Sequence, residues 1–110
     1  MNSKELALYW LEQLAGLEGI RARPMMGGYL FYYGTVYFGG IFEPGFMVKI
    51  TPSSRRLLPN AQAMPPYPAA KELLLVDDGA DRETLCAMVR ALCAELPPPT
   101  PKKARKRKGE

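Results

Sequence analysis

The stretch Arg23-Pro24-Met25-Met26-Gly27-Gly28-Tyr29 holds the residues best suited by type and spacing to do chemistry. A glycine pair permits positive φ and close backbone approach, so its N–H groups could cradle an anion. Loops that do this for phosphate run into a helix N-terminus, whereas the residues after Tyr29 read as a strand, and neither GxGxxG nor Walker spacing is present. The pair is therefore expected to be a structural turn. Acid–base work has one candidate cluster, Asp77-Asp78 with Asp81, but an acidic pair beside Gly79 suits a turn and helix cap better than a catalytic dyad. Histidine is absent, which removes Ser–His and Cys–His nucleophile pairs and imidazole metal ligands together. Arg23, Lys49 and Arg55-Arg56 could hold an anionic ligand, and a solvated surface explains them equally well. No catalytic residue, cofactor or metal ligand is assigned, and a non-enzyme is expected.

Cys86 and Cys93 lie seven residues apart in a helical pattern, about 10 Å along the axis, too far for a disulfide. The spacing also fails the common zinc patterns, so both read as small core residues of a reducing compartment. Tyr29, Phe31, Tyr33 and Tyr37, with Tyr32 and Phe38 on the opposite pleat, suggest comparison with sheets that bind single strands. Such sheets flank their aromatics with cations, and residues 29–46 contain neither Lys nor Arg. Core packing together with ordinary partner contact is the better reading of that window.

The net charge of +4 over 110 residues is unevenly placed. Six of the fifteen cations, Lys102, Lys103, Arg105, Lys106, Arg107 and Lys108, fall in residues 102–110 beside a single acid. The remaining nine face ten Asp/Glu, so the rest of the chain is close to neutral. Residues 1–97 read as one domain, and 98–110 as a Pro-rich spacer and a basic, disordered tail. Non-specific nucleic-acid contact through the tail is expected to compete with a merely solubilising role.

The elements that must position these residues follow from periodicity. Leu6, Trp10, Leu14 and Leu17 share one face of a helix from Ser3 to about Leu17, opened by an Asn2/Glu5 capping box. Residues 30–33, 36–38 and 46–50 predict a three-stranded meander turning at Gly34-Thr35 and Glu43-Pro44-Gly45. Gly39-Gly40 marks a bulge or a close helix contact. Residues 52–58 predict a short helix, 61–71 a connection, and 73–76 a strand. Asp81 caps a last helix with a Leu85, Met88, Val89, Leu92, Leu96 stripe. The expectation is a two-layer α+β domain, in the order α-β-β-β-α-β-α, with an antiparallel sheet covered by the terminal helices. No secretory segment or membrane span is seen, so a cytoplasmic protein with no membrane partner is expected.

The Gly-Gly-Tyr stretch also carries a resemblance. Residues 23–32 resemble the signature Arg-Lys-Met-Phe-Gly-Gly-Tyr-Gly-Ile-Tyr of the TfoX N-terminal domain family, relatives of bacterial TfoX/Sxy competence regulators. Arg23, Met25, Gly27, Gly28, Tyr29 and Tyr32 match, while Pro24, Met26, Leu30 and Phe31 depart. Pro66-Tyr67-Pro68-Ala69-Ala70-Lys71 is similar to the Pro-Tyr-Pro-Gly-Ala-Lys segment of short members, with Ala69 for Gly. Asp81-Arg82-Glu83 and the Leu96-Pro97-Pro98 ending agree with the same subgroup. The resemblance implies an α+β domain without known catalysis, linked in longer, two-domain members to DNA uptake and transformation. Arg23, Met25, Gly27, Gly28, Tyr29, Tyr32, Tyr67 and Lys71 become structural or contact residues. The leading expectation is a regulatory or accessory protein acting through an unknown protein partner, with a homodimer also open. The alternative is an accessory protein whose tail binds nucleic acid, and the last is a small-ligand site or enzyme using Gly27-Gly28 with Arg23 and Tyr67.

Overall fold

Asn2 and Glu5 start the first helix, α1 (Ser3–Gln13), by a reciprocal pair of bonds. The Glu5 N–H donates to Asn2 Oδ1 at 2.9 Å, and the Asn2 N–H donates to Glu5 Oε1 at 3.0 Å. The computed structural model describes residues 2–25, 27–77 and 79–96, so Met26, Asp78 and the whole basic tail lie outside it. The helix stops four residues short of the expected Leu17. Leu14 and Leu17 follow it in turns, yet both remain buried with Trp10. Their apolar spacing records a shared destination in the core rather than continuous helix.

Four strands then run as an antiparallel meander: β1 (Ile20–Met25), β2 (Gly28–Tyr33), β3 (Val36–Phe42) and β4 (Gly45–Val48). After α2 (Pro52–Leu57) come β5 (Gln62–Met64) and β6 (Leu73–Leu75), then α3 (Arg82–Glu95). The sheet is wholly antiparallel, in the order β1-β2-β3-β4-β6-β5. The α+β class holds, with helices at the start and end of the described chain. Two strands are additions to the expected order. β1 lacks a β-branched run because it is an edge strand whose Arg21 and Arg23 face away from the core, and Pro24 is tolerated at an edge. β5 has three residues inside what the sequence reads as a connection, and only pairing with β6 makes it a strand.

The register between β2 and β3 shifts by one residue, leaving Phe38 as the extra residue of a bulge between the Phe31–Gly39 and Tyr32–Tyr37 pairs. Gly39 and Gly40 follow directly. A Cβ on Gly39 would sit 2.9 Å from Val48 Cα, and one on Gly40 would strike the Tyr29 carbonyl. The close approach is made by neighbouring strands, not by a helix.

Terminal helices cover one face. α1 crosses β1 to β4, while α3 packs on β3 and α2. Between these layers Trp10 stacks on Phe46 at 4.7 Å, Phe46 meets Phe31 at 5.2 Å, and Phe31 meets Phe38 edge-on at 6.3 Å. Asp81 caps α3 by accepting from the Thr84 N–H at 3.0 Å, and Leu85, Met88, Val89 and Leu92 are fully buried as the stripe requires. At the far end of α3, Ser53 bonds its hydroxyl and its N–H to the Glu95 carboxylate, tying α2 to α3. Those bonds, with Thr51, hold the Glu95 carboxyl below its ordinary value.

Candidate functional site

Two of the stretches singled out above converge. The β1–β2 hairpin closes at the Met25–Gly28 pair, with Met26 and Gly27 between them. Gly27 has φ +86°, a left-handed conformation that side chains other than Gly, Asn or Asp rarely adopt. A Cβ on Gly28 would collide with the Ile41 carbonyl of β3. Ser3, at the first turn of α1, donates its hydroxyl to the Gly27 carbonyl at 2.8 Å. The glycine pair is thus a turn, and the Ser3 bond pins it to the start of α1.

Beside this turn lies a cleft of about 770 Å³. Ser3 of α1, Met25, Gly27 and Gly28 of the turn, Ile41 and Phe42 of β3, and Pro66 with Tyr67 line it together. Pro66 is buried, while Tyr67 is 55% exposed and packs its ring 6.4 Å from that of Phe42. Leu6 and Glu43 border the cleft and also a second recess of about 630 Å³ that passes Trp10, Phe46 and Leu58 toward Asp77 and Asp81. Among the described residues that line the first cleft, Glu43 is the one that is charged at neutral pH.

The remaining family-motif residues go elsewhere. Tyr29 turns toward a shallower recess of about 420 Å³, shared with Pro24, Met25 and Asn2. Arg23 is exposed on the outer face of β1 and lines neither recess. Arg23, Tyr29 and Tyr67 therefore share no pocket, and a ligand site built on Arg23 with Tyr67 lacks its geometry. Tyr32 also lies on the outer face, paired with Tyr37. Lys71 is exposed at the end of the segment that carries Tyr67, close enough to Lys49 to help lower the pKa of that ammonium. Lys102, Lys103, Arg105, Lys106, Arg107 and Lys108 lie outside the described residues.

Asp81 is engaged as a helix cap, and among the described residues no group of three His, Cys, Asp or Glu could hold a metal ion. Both cysteines are free. Burial pushes the Cys93 thiol up to about 11, so it is protonated at neutral pH and a poor nucleophile.

Sequence reasoning missed Ser3, Ile41 and Phe42 as cleft residues. Ser3 and Gly27 are 24 positions apart, and nothing local announces their bond. Ala69 did carry a signal. Its φ of +71° is left-handed, which gives a physical reason for the Gly that the resemblance places there.

Comparison with known proteins agrees with this geometry. The chain is 27% identical over 100 residues to a protein of Spirochaeta aurantia described as an uncharacterized 12.7 kDa protein in the trpE 5′ region, covering 90% of this chain and 87% of that one. No solved structure matches it. The model of the TfoX N-terminal domain matches residues 12–91, a span that takes in the pinned glycine turn, Ile41 and Phe42, and the Tyr67 segment. On that match the chain belongs to the TfoX N-terminal domain family.

Proposed function

We propose that the domain is a non-enzymatic regulatory module that works by holding a segment of a partner protein in the cleft between the glycine turn and Tyr67. One observation carries this reading: the two stretches of family resemblance, about forty residues apart in sequence, line one cleft together. The lining is mostly apolar, and Met25 and Tyr67 supply adaptable and amphipathic contact surface. Glu43 at its border favours an occupant that is apolar and carries a Lys or Arg. The family's link to competence regulation suggests that the partner belongs to control of DNA uptake or transcription. Free cysteines fit a cytoplasmic setting, and no described helix is long and apolar enough to cross a membrane.

Complementation in a strain lacking the gene tests this reading. A folded Phe42→Asp, Tyr67→Asp chain, with a charge placed on each side of the cleft, should fail to restore the transcript profile and transformation frequency that the parent restores. Full restoration by that variant would overturn the cleft as the working surface.

A second contribution is supported by charge alone. The six cations from Lys102 to Lys108 would draw the protein toward nucleic acid without sequence preference, raising encounter rate more than specificity. If all six met duplex phosphates, log K would fall with log salt at a slope of about −5. Replacing the six with Gln should abolish that slope if the tail is responsible.

A further inference from the structure

The outer face of the sheet, away from the helices, carries a row of four side chains that crosses four strands. On β1, the Arg21 guanidinium carbon lies 5.5 Å from the centroid of the Tyr32 ring. Tyr32 on β2 and Tyr37 on β3 are cross-strand partners with ring centroids 5.9 Å apart. Just past β4, Lys49 Nζ stands 4.4 Å from the centroid of the Tyr37 ring. The order is cation, aromatic, aromatic, cation, spread over about 15 Å by the usual interstrand spacing.

The surroundings reinforce the pattern. Arg23 projects from β1 on the same pleat as Arg21 and is exposed. Lys71 lies on the Lys49 side. None of the six strands contains an Asp or Glu. Both tyrosines are partly buried, and Arg21 is held in place by donating to the Gly34 carbonyl at 3.0 Å. Partial burial, with Lys71 nearby, depresses the Lys49 pKa, so a bound anion would relieve an existing strain on that charge. The window 29–46 has no cations of its own, and the topology brings them in from the strand on one side and the end of the strand on the other.

We propose that this row is a platform for single-stranded nucleic acid, with bases stacking on Tyr32 and Tyr37 while Arg21 and Lys49 take the adjacent phosphates. A single strand is favoured over a duplex because tyrosine rings on a sheet recognise base faces, which a duplex buries within its own stack. Arg23 and Lys71 extend the positive rim on either side. None of the four side chains lines the glycine-turn cleft, although Tyr67 of that cleft lies close enough to Tyr37 to help raise its pKa, after burial.

The experiment uses the full chain and a fluorescein-labelled deoxythymidine 12-mer, followed by anisotropy across a salt series. Tyr32→Ala, Tyr37→Ala should weaken binding at least tenfold, whereas Tyr32→Phe, Tyr37→Phe should retain it, because stacking needs the ring and not the hydroxyl. Arg21→Met and Lys49→Met should each flatten the salt slope by about 0.7. A chain with its six tail cations replaced by Gln should keep the ring-dependent part. A measurement on the unaltered chain guards against a variant that fails to fold: photocrosslinking with a 5-bromodeoxyuridine 12-mer should label residues 29–37. Crosslinks confined to residues 102–110, or equal affinity of a folded double-Ala variant and the parent, would overturn the proposal.

Discussion

The same strands build the two faces of the sheet by opposite rules. Toward the helices, Phe31, Phe38, Phe46, Val48 and Leu74 are almost entirely buried and make one apolar cluster with Trp10, Leu85 and Leu92. Away from them, Met47 is also buried, but Tyr32 and Tyr37 stay partly exposed between Arg21 and Lys49. Strand period two sends alternate residues to each face, so aromatic content alone says nothing about role. Aromatics under a helix are core. Aromatics flanked by cations stay partly open to solvent.

The largest expected effect tests that division. Phe46→Ala should cost about 3–5 kcal/mol, through lost burial and a cavity beside Trp10 and Phe31. Tyr37→Ala should cost about 1 kcal/mol, mainly its cation–π contact and partial burial. Urea denaturation of both variants checks this, and comparable losses would make the outer face a second core rather than a free surface.

A smaller effect concerns the segment that holds Tyr67 against Phe42 on the outer side. Ala69→Gly should raise stability by about 0.5 to 1 kcal/mol, since relief of left-handed strain exceeds the added freedom of the unfolded chain. Thermal melts of the single variant read this directly, and a lowered midpoint would mean that the segment needs its methyl more than its backbone freedom.

The smallest effect lies on the helical side and depends on pH. Glu95 has a carboxyl held below its ordinary value by Ser53 and Thr51, so its contribution is complete above the usual carboxylate range and is lost as pH falls through the depressed value. Glu95→Gln should therefore differ from the parent near pH 6, with the difference shrinking toward pH 3. A constant gap across that range would assign the effect to packing and not to charge.

The helices and the central strands were legible because their signals are local. Asn2 with Glu5, Asp81 before Thr84, and the Leu85 to Leu92 stripe can each be read within a few residues. β1 was not legible, because an edge strand buries little and its Arg21 and Arg23 remove the apolar alternation that marks a strand. The site was half legible: the Gly27-Gly28 turn and Tyr67 could be named, but not their meeting, nor the Ser3 bond that pins the turn. Arg23 could be named as well, and its direction could not, because that depends on which pleat of β1 faces the core.

By itself the sequence determined the composition of the layers, the absence of histidine, and the concentration of net positive charge in residues 102–110. These rest on residue counts and short spacings, which no fold can alter. Only the tertiary structure decided which residues meet. It joined the glycine turn to Tyr67 across one cleft and set Arg21 and Lys49 at the two ends of a tyrosine pair. The physical reason is that sheet pairing brings together residues distant in the chain, with partners set by register and strand order rather than by any local pattern.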